Sequence, residues 1–130
     1  MILLDTHVVI WLMVQPELLS ADARNAIRQA RVSREPLACS PVSLYEAAYA
    51  ERRGRLPLIE NIHIFLGAVR SILEMAPLTP EIVIRAALFP DSFHGDPMDR
   101  MIAATAVELN CPLITGDNRI RSFDACKTIW

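Results

Sequence analysis

Ile2-Leu3-Leu4-Asp5-Thr6-His7 is an apolar run of three that ends abruptly on an acid, and a similar run, Leu113-Ile114-Thr115-Gly116-Asp117, returns late in the chain. Runs this short and this apolar suit strands buried on both faces, as in parallel sheets. Leu37-Ala38-Cys39-Ser40 reads as a second strand and Met75 to Leu78 as a third. Cys111 to Thr115 is a further one, and Lys127-Thr128-Ile129 a last edge strand. Longer stretches of helical character lie between them. A short helix covers Val8 to Met13, stopped by Pro16, and Ser20 or Ala21 opens another to about Arg31 with Ala23, Ala26, Ile27 and Ala30 on one face. Ser40-Pro41 is an N-cap with proline at the first helical position, opening a helix that closes at Gly54. Asn61 to Glu74 reads as helix, Thr79-Pro80-Glu81 starts one that ends before Pro90, and Asp96-Pro97 starts one that reaches Asn110. Phe89 to Asp96 is expected as an exposed loop and Gly116-Asp117-Asn118 as a turn. This alternation predicts one α/β domain over residues 1–130, with a mainly parallel central sheet.

Composition narrows the functional classes. The 130 residues are 52% apolar and 22% charged, which excludes a disordered chain. The longest uninterrupted apolar run, Val8 to Val14, falls well short of the roughly 20 residues that a bilayer crossing needs. The start of the chain meets Asp5 and His7 early and has no basic leader, so no secretory signal is expected and the cytoplasm is the expected compartment. Cys39, Cys111 and Cys126 are widely spaced and lack any zinc-like pattern, which reads as reduced thiols packed as small hydrophobes. All basic residues but Lys127 are arginines, a composition that permits phosphate binding without requiring it. Arg52, Arg53 and Arg55 form one cluster, Arg119 and Arg121 another.

Ligands of a parallel sheet collect at the carboxyl ends of its strands. Asp5 follows the first strand directly, Asp117 follows the strand ending at Thr115, and Asp96 and Asp99 open a helix that returns toward that strand. Each has a structural explanation as well. Asp5 can cap the helix near His7, Asp96 is a good N-cap before Pro97, Asp99 suits the first turn, and Asp117 suits a turn. Glu46 is different, because it shares helical spacing with Val42, Tyr45 and Tyr49 and so falls on an apolar stripe. A buried carboxylate requires a cationic partner, a metal, water or a shifted pKa. Several acids converging on one edge would repel one another without positive charge between them, and oxygen donors of this type suit Mg²⁺ or Mn²⁺. Two such ions roughly 4 Å apart can clamp a phosphodiester, generate a hydroxide and stabilise the leaving oxygen.

These pieces together resemble the PIN-domain ribonucleases, and among them the VapC-type toxins of bacterial toxin–antitoxin pairs. The resemblance is carried by Leu3-Leu4-Asp5-Thr6-His7, Ser40-Pro41-Val42-Ser43-Leu44-Tyr45-Glu46, Asp96 through Ala106, and Leu113-Ile114-Thr115-Gly116-Asp117, in that order over essentially the whole chain. It implies a three-layer α/β/α fold and cleavage of RNA that depends on Mg²⁺ or Mn²⁺, leaving 5′-phosphate and 3′-hydroxyl ends. Position by position it implies that Asp5, Glu46, Asp99 and Asp117 form an acidic quartet, with Thr6 and Thr115 steadying it. Asp96 matches a frequent extra acid, as a metal ligand or only a helix cap. Asp5, Asp99 and Asp117 would surround the principal ion, and Glu46 would hold a second ion or orient water. His7 and His94 stand at the rim, His94 as a candidate substrate contact. Arg52, Arg53, Arg55 and Arg100 are candidates for holding flanking phosphates.

A toxin-type member implies an antitoxin protein that plugs the acidic cleft, and a homodimer. Trp11, Leu12, Tyr49 and Phe65 are candidates for those surfaces, with ordinary core packing as the alternative. The rival functional class is a catalytically silent PIN-like module that binds RNA or protein. A haloacid-dehalogenase-type phosphatase would need a second acid where His7 stands. The four glycines form no phosphate-cradling loop, and His94-Gly95-Asp96 lacks the companion histidines of a zinc hydrolase.

Overall fold

The computed structural model describes residues 1–130. Five strands, β1 (Ile2–Leu4), β2 (Leu37–Cys39), β3 (Glu74–Met75), β4 (Leu113–Ile114) and β5 (Thr128–Ile129), form a sheet in the order β3-β2-β1-β4-β5. Every pairing is parallel. The chain builds outward from β1 through β2 to β3, then returns to the other side of β1 for β4 and β5. The β1/β4 boundary is therefore the switch point, where the crossovers diverge and a crevice opens above the strand ends.

Strand residues alternate between two cores, which shows directly that the sheet is a middle layer. Ile2, Leu4, Leu37, Cys39 and Ile114 pack on one side with Val8 and Val9 of α1 (Thr6–Val14) and Ile27 of α2 (Ala21–Ser33). Ala47 of α3 (Pro41–Arg52) and Phe65 and Val69 of α4 (Ile62–Ile72) join that side. Leu3, Ala38 and Leu113 face the other way, toward Ile102, Ala103 and Ala106 of α6 (Pro97–Glu108) and Ile120 of α7 (Asn118–Phe123). The expected α/β/α architecture holds, with a fully parallel sheet. Ile82 and Ala86 of α5 (Pro80–Leu88) pack against Ala104 on α6, which is why α6 is small and apolar nearly all round. No helix is long and apolar enough to cross a membrane.

Several boundaries differ from the sequence reading for identifiable reasons. Helix α1 starts at Thr6 rather than Val8, because Asp5 itself is the N-cap and takes the Thr6 N–H at 2.7 Å. The third strand is Glu74–Met75, not Met75 to Leu78, since Ala76 N–H makes the last bond to Cys39 O and Pro77 has none to give. Helix α4 ends at Ile72, short of Glu74. Gly116-Asp117-Asn118 is not an isolated turn: Asp117 caps the short helix α7. Of the three thiols, Cys39 and Cys111 are buried and Cys126 is half-buried.

The segment from Phe89 to Asp96 is more anchored than an exposed loop. Phe93 is buried against Phe89 and Phe123. Arg100, expected to hold phosphate, instead donates to the carbonyls of Ala86, Phe89, Pro90, Phe93 and His94 at 2.8–3.2 Å. A guanidinium with five carbonyls around it has no donor fork left for RNA, and its job is to fix this segment onto α6. A lysine cannot reproduce the planar fork. Arg100→Lys is expected to cost about 2–4 kcal/mol by leaving carbonyls unsatisfied. A wild-type urea midpoint in that variant would show that the segment does not depend on it.

Candidate active site

Asp5, at the carboxyl end of β1, is 2% exposed, so its carboxylate is defined by its partners. Oδ1 accepts the Thr6 N–H and Oδ2 accepts the Thr115 hydroxyl at 2.6 Å. Thr115 Oγ1 in turn accepts the Asp117 N–H at 3.0 Å, so one buried hydroxyl joins the ends of β1 and β4. The second threonine works on the other side: the Thr6 hydroxyl donates to Glu46 Oε2 and lies 3.0 Å from Ser43 Oγ. Thr6 and Thr115 thus each touch one acid of the quartet, Glu46 and Asp5 respectively.

Asp99 and Asp117 complete the cluster, together with His94. One ligating atom of each of these three residues lies within 4.8 Å of the others. His94 Nε2 is 2.6 Å from Asp99 Oδ2, and its ring stacks on Phe93. Asp117 Oδ1 takes the Arg119 N–H at 2.7 Å as the cap of α7, while Oδ2 receives the Arg119 guanidinium at 2.8 Å. The same guanidinium nitrogen is 3.5 Å from Asp99 Oδ2, so Arg119 stands between two acids. Asp96 caps α6 through the Met98 and Asp99 N–H groups and shares a cleft with Glu46.

Electrostatics separate the four acids. Burial, with Asp99, Asp5 and Asp96 nearby, outweighs the Thr6 hydrogen bond and pushes the Glu46 carboxyl up to about 7. Asp99 is also raised, chiefly by burial, against the lowering effect of His94. Asp117 moves the other way, down to about 2, because Arg119 binds its charged form. The Asp117 end of the cluster is therefore neutralised by the chain's own cation, while Glu46 at the other end binds its proton more tightly for want of one. Clustered carboxylates that repel one another, raise one another's proton affinity and draw in an arginine form a donor set suited to a hard divalent cation, so these residues fit the ion that the sequence resemblance implies.

His7 plays a part that the sequence did not reveal. Its Nε2 accepts the Gly116 N–H at 2.9 Å, which places the neutral ring's proton on Nδ1, 3.3 Å from Asp5 Oδ2. The ring lies edge-on to Trp11 and Trp130. Ser43, Arg119 and the His94–Asp99 contact were also missed. Arg119 was visible as a charge two residues after Asp117, but only the capped helix α7 turns it back onto that acid. Arg52, Arg53 and Arg55 are exposed, and Arg55 alone of the three shares the cleft beside Glu46. Of the surface candidates, Tyr49 is exposed, Trp11 and Leu12 are half-buried, and Phe65 belongs to the core.

The raised Glu46 pKa has a consequence for stability. Between about 4.5 and about 7 the folded chain holds a proton that the unfolded chain has lost, so stability falls as pH rises through that window. Glu46→Gln should remove this contribution. Without divalent ions, wild type should lose about 1 kcal/mol more than the variant between pH 5 and pH 8, less than the shift alone would give because the carboxyl keeps some water. Equal pH dependence of the two urea midpoints would contradict the raised pKa.

Comparison with known proteins bears on the family and the fold. Residues 2–125 match the PIN domain model. The chain is 36% identical over 131 residues to a Mycobacterium tuberculosis protein named ribonuclease VapC22, covering 99% of this chain and 98% of that one. Among solved structures, VapBC2 from Rickettsia felis bound to a promoter DNA fragment superposes with a TM-score of 0.75 at 16% identity, covering 98% and 97% of the two chains. VapBC-1 from nontypeable Haemophilus influenzae gives 0.68 at 20%, covering 98% and 96%. Likeness at those identities concerns the fold, whereas the domain match and the mycobacterial relative span nearly the whole sequence, and on them the chain belongs to the PIN-domain family.

Proposed function

We propose that this chain is a divalent-metal-dependent endoribonuclease, acting in the cytoplasm as the toxin of a toxin–antitoxin pair. The observation that carries this reading is the convergence of Asp5, Glu46, Asp99 and Asp117 at one sheet edge, threaded by two threonine hydroxyls and drawn onto an arginine. The name of the mycobacterial relative supports RNA as the substrate. The VapBC identity of the fold neighbours supports an antitoxin as partner, and a homodimer accompanies this reading.

Asp5, Asp99 and Asp117 would hold Mg²⁺ or Mn²⁺, with Asp96 as a further candidate and Glu46 toward a second ion. When bound, such an ion supplies the positive charge that polarises a phosphodiester and makes water a competent nucleophile at neutral pH. The chain's own residues do the positioning. Thr115 fixes the rotamer of Asp5 and, through the Asp117 N–H, the spacing of the two strand ends. Thr6 aims Glu46, whose carboxylate would hold a second ion or orient the attacking water. The exposed Arg52, Arg53 and Arg55 hold flanking phosphates without reading bases, a role that Arg100 leaves to them.

Asp5→Asn and Asp99→Asn should each abolish Mn²⁺-dependent cleavage of RNA, a loss of at least about a hundredfold, with unchanged far-ultraviolet circular dichroism. Wild type should leave 5′-phosphate ends and gain thermal stability in millimolar Mn²⁺, and the Asn variants should gain less. A wild-type chain that neither cleaves RNA nor responds to Mn²⁺ would leave the silent binding module as the surviving reading.

A further inference from the structure

Beside Glu46, a cleft of about 510 Å³ opens between the outer side of α3 and the start of α6. Tyr45 and Tyr49 line it, one helical turn apart, with Arg55, Asp96 and Met98. The two tyrosines are 57% and 45% exposed, and their rings lie nearly parallel at 17°, with centroids 6.0 Å apart. The Arg53 guanidinium lies 5.9 Å from the Tyr49 centroid. Gly54, at φ +69°, ends the helix and turns the chain back so that Arg55 N–H reaches Ala50 O at 2.8 Å, which brings Arg55 to the cleft.

Two large aromatic rings about half open to water next to an acid cluster leave stacking surface for a ligand. Glu46 and Asp96 at the same cleft would accept a phosphate beside them only together with a divalent ion, whereas an uncharged flat ring needs none. Phosphate suits Arg53 and Arg55 instead. We propose that Tyr45 and Tyr49 form a base-stacking subsite that takes one unpaired nucleobase of the RNA next to the cleaved bond, with Arg55 on the adjoining phosphate. A base within a duplex has no free face to offer. This rests on the nuclease reading above and adds to it the side chains that grip the substrate.

The test is steady-state cleavage of a single-stranded RNA oligonucleotide in Mn²⁺ by the full chain, with 2-aminopurine beside the cleaved bond and sedimentation of each protein alongside. Tyr45→Ala and Tyr49→Ala should each raise KM about tenfold with a much smaller effect on kcat, and should lose the 2-aminopurine quenching seen with wild type. Tyr45→Phe and Tyr49→Phe keep the ring face and should keep the wild-type KM. Wild-type KM and quenching in both alanine variants overturns the subsite while leaving the nuclease reading intact. A KM rise that the phenylalanine variants share also overturns it, by assigning the effect to the hydroxyls. A KM rise that follows loss of self-association, with quenching retained, overturns it in favour of an interface between two copies. A wild-type chain that does not cleave removes both readings together.

Discussion

Negative charge concentrated at the carboxyl end of a parallel sheet is the constraint around which this molecule is arranged. Two carboxylates within 4.8 Å repel by about 3–4 kcal/mol at an effective dielectric near 20, and Asp99 and Asp117 are only part of the set. The chain meets that cost in three ways. Arg119 bridges Asp99 and Asp117. Threonine hydroxyls donate to Asp5 and Glu46. Burial raises the pKa of Glu46 and of Asp99. None of these supplies a full positive charge at the Glu46 end, and the tolerance of the fold for such a cluster is understandable if a divalent cation completes it.

The same residues serve the backbone. Asp5 caps α1, Asp96 caps α6 with Asp99 in its first turn, and Asp117 caps α7. Helix N-termini present unpaired N–H groups and a partial positive charge, so each acid is stabilised by the element that it begins. The structural and the functional explanations of these aspartates are therefore not competitors. Capping fixes one oxygen of Asp5 and of Asp117 against a backbone amide and turns the other into the crevice at the switch point.

This double use also explains what could be read from the sequence. The inner strands β1, β2 and β4 were legible because residues buried on both faces must be apolar, and the caps because Ser40-Pro41 and Asp96-Pro97 carry a strong local signature. That legibility extended to the acids, since all but Glu46 sit at element boundaries. Helix α7 was hidden because its six residues, Asn118 to Phe123, are too few for a periodic pattern, and with it went the return of Arg119 onto Asp117. Arg100 was misjudged for a related reason. A guanidinium satisfied by five carbonyls of a loop has no local sequence signal, since those carbonyls belong to every residue type.

The spacing of Asp5 and Asp117 depends finally on packing at the edge of the sheet as much as on charge. A Cβ on Gly116 would meet the Trp130 ring at 2.9 and 3.0 Å and His7 Nε2 at 3.3 Å, so the backbone between Thr115 and Asp117 can approach these rings only as glycine. That approach lets the Gly116 N–H reach His7, which fixes the imidazole tautomer and turns Nδ1–H toward Asp5. Trp11 and Trp130, in contact with each other, pack edge-on against the imidazole and limit its rotation. Besides their backbone bond, the ends of β1 and β4 are thus joined by two side-chain links, the Thr115 hydroxyl and an imidazole packed edge-on against two indoles. An arrangement of mutually repelling acids keeps a defined geometry only when such neutral, sterically fixed links hold its strands in place.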